Sequence, residues 1–137
     1  MNPTTLRNIA AKLQAAPIGS RELDAECARA MDINVTPLFM GEPYIQCEPH
    51  EQEFPTPHPA LKICPQWTTS LDASRALAKE LLSEWWYHSG NSYGGNGFAC
   101  IRGPKYPFPE TTAATEPLAC VSAILLALAA KIEGEAK

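Results

Sequence analysis

The sequence of 137 residues lacks the features of several protein classes. Positive charge is scarce, since eleven Lys and Arg stand against fifteen Asp and Glu and give a net charge of −4. A protein that coats nucleic acid needs a basic surface to displace counterions from phosphates, so we expect no nucleic-acid partner. The longest apolar stretch, Leu118–Ala130, is shorter than a membrane span of roughly 20 residues. We therefore expect no membrane partner either.

The sequence also shows neither an export signal nor a regular cysteine framework. No positively charged segment precedes an apolar stretch and a cleavage site near the beginning, so we expect a cytoplasmic protein. The five cysteines are an odd number without regular spacing, which argues against a set of disulfides in that compartment. Cys27 and Cys120 fall within apolar helical patterns and are expected to be buried.

A metal site is only weakly indicated. Cys47 and His50 form a Cys-x-x-His pair, and His58 and Cys64 follow further along the chain. Thiolate and imidazole are the ligands that zinc prefers, but the spacing matches no standard finger. The alternative is a pair of exposed histidines in a loop and two cysteines on short strands. The sequence therefore predicts no cofactor and leaves a metal at these four residues open.

Proline divides the chain. Seven of the thirteen prolines lie in the segment 37–65, and no Lys or Arg occurs from Ala30 to Leu61. Proline removes a backbone donor and fixes φ, so no helix can run through this segment and only short strands survive there. We predict one domain over residues 1–137 with an acidic, extended excursion at 37–65.

Four helices are predicted around these breaks. The first runs from about Pro3 to Ala16, and the second begins after Ser20 as N-cap and ends near Met31. The third begins at a capping arrangement of Thr69 with Asp72 and ends near Ser83, and the fourth runs from Thr115 to about Lys131. The last helix is apolar on nearly every side. Such a helix is either buried in the core or part of a protein contact, so both a core helix and a homo-oligomer interface remain open.

Strands are predicted in the middle of the chain. The segment Glu84–Tyr93 is rich in aromatic β-formers, a glycine-rich turn follows, and Phe98–Arg102 returns as the second strand of a hairpin. Short strands at Tyr44–Cys47 and Leu61–Cys64 are expected to join the same sheet. We predict an α+β fold, a single domain in which helices cover a small antiparallel sheet as an α/β/α sandwich.

The hairpin and its neighbours are the predicted ligand site. Nucleotide binding needs aromatic faces for the base and cations or donors for the phosphates, and glycines allow the backbone to come close. The candidate ligand-binding residues are Arg75, Trp85, Tyr87, Asn91, Tyr93, Asn96, Arg102 and Lys105. The alternative is structural: neighbouring tryptophans in a strand point to opposite faces, so one of Trp85 and Trp86 is core, and the glycines only make a turn.

Four short motifs occur in an order that resembles one protein family. They are Arg21-Glu22-Leu23-Asp24-Ala25, Trp67-Thr68-Thr69-Ser70-Leu71-Asp72-Ala73, Trp85-Trp86, and Glu116-Pro117-Leu118-Ala119-Cys120. Over most of the range from Pro17 to Ile132 the chain resembles the phage ABA-sandwich domain family, with the acidic excursion as the least similar part. The resemblance implies a layered α/β sandwich, a phage or prophage origin and a small accessory protein. It implies no catalytic residues.

Analogy with other small phage proteins then gives an expected function. Several act as sponges for nucleotide signals of host defence, such as the ADP-ribose derivatives of Thoeris defence and the cyclic oligonucleotides of CBASS defence. By this analogy we expect an anti-defence homodimer in the infected bacterial cytoplasm that sequesters a TIR-derived cyclic ADP-ribose isomer or other ADP-ribose derivative. Thoeris-type defence would thereby be inhibited.

The expected action is binding without catalysis. The sequence contains no nucleophile elbow, metalloprotease, P-loop or paired-carboxylate motif. Two alternatives to this expectation stay open. One is an inhibitor that binds a host defence enzyme directly through the acidic excursion. The other is an enzyme that cleaves the signal with His50, His58 or His88.

Overall fold

The computed structural model describes residues 1–48, 60–91, 95–103 and 110–135. Within these ranges the chain forms four helices and two small antiparallel sheets, which confirms the predicted single-domain α+β fold. The helices are α1 (Pro3–Ala15), α2 (Arg21–Ala30), α3 (Leu71–Leu81) and α4 (Glu116–Glu135), and the strands are β1 (Tyr44–Gln46), β2 (Leu61–Ile63), β3 (Trp86–Asn91), β4 (Gly97–Arg102) and β5 (Thr111–Ala113).

Short polar side chains set the starts of the first three helices. Asn2 caps α1 by accepting hydrogen bonds from the backbone N–H groups of Thr4 at 2.8 Å and Thr5 at 3.2 Å. Ser20 caps α2 as predicted. The cap of α3 is Ser70, whose hydroxyl accepts from the third following backbone N–H, so the predicted capping role of Thr69 is wrong. Each cap satisfies a backbone donor that has no partner inside its helix.

Helix α4 forms the centre of the core. Every residue from Leu118 to Leu125 is buried, and α4 contacts α1, α3 and all three strands of the β3–β4–β5 sheet. The helix is long and apolar enough to cross a membrane, but most of it is buried inside the protein, as is usual for the core helix of a small domain. The apolar surface of this helix, for which an oligomer interface was one expectation, is therefore largely buried in the core. The small globular domain is compatible with a soluble protein.

The larger sheet has the order β3–β4–β5 and two distinct faces. Trp86 pairs with Arg102 and Tyr87 pairs with Ile101, so these two pairs point to opposite faces. Ile101 belongs to the buried core, and Trp86 and Arg102 are exposed. Strand β5, which is not predicted from the sequence, pairs with β4 on the side away from β3.

The two short strands in the first half form a sheet of their own. Tyr44 pairs with Ile63 and Gln46 pairs with Leu61 in a two-stranded antiparallel ladder. The expectation that these strands join the larger sheet is therefore wrong. A three-residue strand carries too little periodicity to show which partner it has.

Candidate functional site

Helix α3 supplies two positive charges to one surface. It buries Ser74, Leu77 and Ala78 and leaves Arg75 and Lys79 exposed one turn apart. Residues four apart in a helix lie on the same side, so the two cations are neighbours. No ion pair involves Lys79 among the residues that the structure describes.

The aromatic side of the site comes from the entry into β3. Trp85 precedes the strand and packs against the core, and Tyr87 is the second residue of the strand and faces the helices. The ring of Trp85 packs closely on Gly103, where an added Cβ would lie 2.7 Å from it. Trp85 and Tyr87 both border a cleft that residues of α3 also line.

Together these elements form a surface cleft that we name the α3–β3 groove. Its volume is about 260 Å³. It is lined by Arg75, Ala76, Ala78, Lys79, Leu82, Ser83, Trp85 and Tyr87. Ala78 and Leu82 are buried and form an apolar floor, whereas both cations lie at the exposed edge. The groove thus combines flat rings with positive charge.

Two neighbours tune the chemistry of this groove. The guanidinium of Arg75 lies 3.4 Å from Oε2 of Glu116, which also accepts a hydrogen bond of 2.8 Å from the Ser89 hydroxyl. The Arg75 side chain is still 46% exposed, so it remains accessible to a ligand. Burial raises the pKa of the Tyr87 phenol above its ordinary value, and the charge of Arg75 opposes that shift. Tyr87 is therefore a neutral hydroxyl donor near pH 7.

The structure brings together only some of the predicted ligand-binding residues. Arg75, Trp85 and Tyr87 line the α3–β3 groove. Arg102 does not join them, because its pairing with Trp86 turns it to the other face of the sheet. Asn91 and Asn96 are exposed at the end of β3 and just before β4. Tyr93 and Lys105 lie outside the described residues.

The other face of the sheet carries its own row of rings, which we name the open sheet face. Trp86 is 56% exposed, its ring meets His88 edge-on at 5.3 Å, and His88 meets Phe98 at 6.0 Å. The Arg102 guanidinium lies 5.6 Å from the centre of the Trp86 ring. Trp85 rather than Trp86 is among the ligand-binding residues predicted from the sequence, although alternation along the strand predicts that only one of the two is core.

Gly97 lies where the start of β4 passes close to the start of α4. A Cβ at this position would lie 2.2 Å from the backbone of Thr115 and Glu116. The missing side chain lets the start of β4 approach the start of α4. Packing thus accounts for a glycine at position 97, and the approach of the turn glycines to a phosphate stays a prediction.

Two motifs of the family resemblance meet in a buried polar network. Asp24 is fully buried, and its Oδ1 accepts hydrogen bonds from the Thr68 backbone N–H at 2.8 Å and the Thr68 hydroxyl at 2.7 Å. Arg21 donates to Oδ2 of Asp24 at 2.5 Å, to Glu42 at 2.8 Å and to the carbonyl of Cys64 at 2.5 Å. We name these contacts the Arg21–Asp24 network. It fixes α2 against the chain that leads into α3.

The predicted burial of Cys27 and Cys120 is confirmed. All five cysteines lie in the described ranges, and none of them forms a disulfide. Burial raises the pKa of Cys64 to about 12 and raises the pKa of Cys120 as well. The described ranges contain no group of three or more His, Cys, Asp or Glu residues arranged to hold a metal ion. His50 and His58 lie outside these ranges, so the zinc hypothesis stays a prediction.

A second, larger cleft was not predicted. It measures about 1130 Å³ and lies between the β1–β2 sheet and α3, and we name it the hairpin groove. The sequence carries no signal for it, because its width depends on the distance between elements that are far apart in the chain.

Comparisons of the chain with protein-family models, with curated proteins and with solved structures found no match. The family resemblance noted in the sequence stays a prediction. The geometry of the two grooves is therefore the basis for proposing a function.

Proposed function

We propose that this protein binds a small phosphorylated molecule with an aromatic ring in the α3–β3 groove and holds it without cleaving it. The favoured ligand is an ADP-ribose-type signal, such as a TIR-derived cyclic ADP-ribose isomer. On this proposal the protein sequesters the signal in the cytoplasm of an infected bacterium and inhibits Thoeris-type defence. The phage setting rests on the family resemblance, and the ligand chemistry rests on the groove.

The observation that supports the ligand class is the pairing of two cations with two rings in one groove. In a chain with net charge −4, Arg75 and Lys79 line this cleft, and no carboxylate occurs among its described lining residues. The nearby Glu116 carboxylate offsets part of the Arg75 charge, so the local charge stays positive mainly through Lys79. Base–aromatic stacking contributes about 1–3 kcal/mol per base. A hydrogen bond from a charged group to phosphate contributes about 1.5–3 kcal/mol. Both contributions require the residue types that Trp85, Tyr87 and the two cations provide.

The size of the groove limits how much of a ligand it encloses. Pockets for drug-sized ligands commonly measure about 300–1000 Å³, and this groove measures about 260 Å³. It therefore accommodates one ring with its adjoining phosphate, and the rest of the ligand extends along the surface. A second copy of the chain would supply the missing wall, which is why we keep the homodimer in the proposal.

The groove lining supports binding rather than catalysis. Its hydroxyl groups belong to Ser83 and Tyr87, and no histidine or carboxylate among the described lining residues is placed to accept a proton from them. General base catalysis needs such a group within hydrogen-bond reach of the nucleophile. The enzyme alternative predicts a cleaved product, which mass analysis of the bound molecule detects.

The test is calorimetric titration with ADP-ribose, AMP and adenosine, followed by heat release and mass analysis of the bound molecule. We expect the phosphorylated ligands to bind more tightly than adenosine and to be recovered intact. Arg75→Ala and Lys79→Ala should each weaken binding by about 10- to 100-fold, because each removes a charge-assisted contact. Recovery of a cleaved nucleotide would replace the proposal with the enzyme alternative.

Two matched variants locate the site. Arg29→Ala removes an exposed arginine from α2, away from the groove, and should leave the affinity unchanged. Arg102→Ala removes the cation of the open sheet face and should also leave it unchanged. If Arg102→Ala abolishes binding and Arg75→Ala does not, the ligand binds on the open sheet face and the groove is excluded.

A turn before β1 favours the second candidate function, inhibition of a host enzyme by direct contact. Phe39 is 66% exposed and Met40 is 89% exposed. Reciprocal backbone hydrogen bonds of 2.8 and 3.0 Å between Phe39 and Glu42 close the turn that carries these side chains. Large apolar side chains exposed together are typical of protein interaction sites. Absence of nucleotide binding, together with co-purification of one host enzyme that Met40→Asp abolishes, would select this function.

A further inference from the structure

The hairpin groove has the construction of a binding site that is separate from the α3–β3 groove. Its floor is apolar and buried, and it includes Ile45, Trp67 and Leu77. Lys62, Gln46 and Asn34 stand at its edge, where the Asn34 amide donates to the Gln46 side chain at 3.0 Å. A volume of about 1130 Å³ exceeds the range of about 300–1000 Å³ that is usual for small-molecule pockets. The cleft is therefore large enough to accept a short stretch of polypeptide.

The charge at the edge of this groove is negative. Asp32, Glu48 and Glu80 line it, and Lys62 is the one cationic side chain among the described lining residues. The Met1 amino group lies 2.7 Å from Asp32 and offsets part of that charge. The sum is −2 for the lining side chains and −1 with this amino group included. A cationic group is thus favoured over an anionic one.

The two grooves use different sides of α3. Glu80, Leu77 and Ala73 line the hairpin groove, and Arg75 and Lys79 line the α3–β3 groove. The helix thus presents Glu80 to one cleft and Arg75 and Lys79 to the other. The lining charge of the hairpin groove therefore favours an occupant opposite in charge to the proposed nucleotide.

We infer that the hairpin groove binds a segment of a partner protein in which apolar side chains flank a lysine or arginine. The apolar side chains contact Ile45 and Leu77, and the cation lies at the edge near Glu80. Burial of apolar side chains in a cleft supplies most of the affinity of such complexes, and the charges supply the selectivity. This inference does not depend on nucleotide binding.

The test compares two capped tripeptides, acetyl-Phe-Lys-Phe-amide and acetyl-Phe-Glu-Phe-amide, by titration into the ¹⁵N-labelled full chain. The lysine peptide should shift the amide signals of Ile45, Lys62 and Leu77 and bind about three- to tenfold more tightly than the glutamate peptide. The preference should shrink at high salt, because exposed charges are screened. Equal affinity of the two peptides, or shifts confined to other surfaces, would overturn the inference.

Charge-reversed variants complete the test. Glu80→Lys should reverse the preference in favour of the glutamate peptide. Glu84→Lys is the matched control, since Glu84 is also exposed near the end of α3 but does not line the groove. Ala73→Phe, which fills part of the cleft, should weaken both peptides alike. If Glu84→Lys changes the preference as much as Glu80→Lys, only the overall charge matters and the site is disproved.

Discussion

Asp24 is the buried charge on which the contact between α2 and the start of α3 depends. One of its oxygens accepts two hydrogen bonds from Thr68, and the other faces the guanidinium of Arg21. An ionised carboxylate inside a protein is tolerated only when partners replace the lost water. The partners of Asp24 come from the segments Arg21–Ala25 and Trp67–Ala73, so both segments have a structural role.

We predict that Asp24→Asn destabilises the protein by about 3–5 kcal/mol, the usual cost of breaking a buried ion pair. The Asn side chain can still accept from Thr68, but its NH₂ group would face the donor of Arg21. Urea unfolding followed by circular dichroism measures the change. Asp72→Asn, at an exposed position on α3, should cost less than about 1 kcal/mol. Similar losses for the two variants would show that the Arg21–Asp24 network contributes little.

Met40 is strained where it stands, since its φ of 53° lies in the left-handed region. That conformation costs a residue with a Cβ about 1–2 kcal/mol, a cost that glycine avoids. We predict that Met40→Gly is more stable than Met40→Ala by about 1 kcal/mol, although both lose the same exposed side-chain contacts. Thermal unfolding of the two variants measures the difference. A more stable alanine variant would contradict the strain.

At the scale of elements, the approach of β4 to α4 depends on the absence of one side chain. A Cβ at Gly97 would lie 2.2 Å from backbone atoms, which cannot rotate away as a side chain can. We predict that Gly97→Ala destabilises the fold by about 3 kcal/mol or more, the upper end for overpacking. Gly90→Ala is the control, because its Cβ would meet only the Phe98 ring, at 3.0 Å. Calorimetric unfolding should show the larger loss for Gly97→Ala.

The helices were predictable from sequence because their signals are local. Caps at Asn2 and Ser20 and apolar residues three and four apart occur within each segment, and the observed helices agree apart from their ends. Helix α4 continues to Glu135, past the predicted end at Lys131, and includes Gly134. A glycine is tolerated in the last turn because burial of one face stabilises the helix. The β1–β2 sheet and β5 were not predictable, since three residues specify no partner.

The candidate site was predictable only in part, for a reason of register. Arg75 and Lys79 share a helix face whatever surrounds them, and Trp85 and Tyr87 follow closely in sequence. The face of the sheet on which Arg102 lies depends on the strand register, because a shift of one residue moves its side chain to the other face. The hairpin groove depends on the spacing of distant elements, which no local pattern encodes.

At the scale of the whole molecule, the thiols link stability to alkaline pH. Cys27, Cys64, Cys100 and Cys120 are buried, and Cys47 is partly exposed. Burial raises the pKa of Cys64 from 9.0 to about 12, and it raises the pKa of Cys27 too. The nearby Asp24 carboxylate raises both further by disfavouring a second negative charge. Between pH 9 and pH 12 the unfolded chain therefore binds fewer protons at these thiols than the folded chain does.

We predict that the free energy of unfolding is unaffected by these thiols below pH 9 and falls as the pH rises from 9 towards 12. Stability falls wherever the unfolded state binds fewer protons, by at most about 1.4 kcal/mol per pH unit for each thiol. Urea unfolding at a series of pH values measures the slope. Other groups also titrate in this range, so the decisive comparison is between variants. Cys64→Ala should flatten the slope because it removes one shifted thiol, and Cys47→Ala should leave it closer to that of the parent chain. If Cys64→Ala keeps the full slope, the buried thiol is not what makes the fold sensitive to alkali.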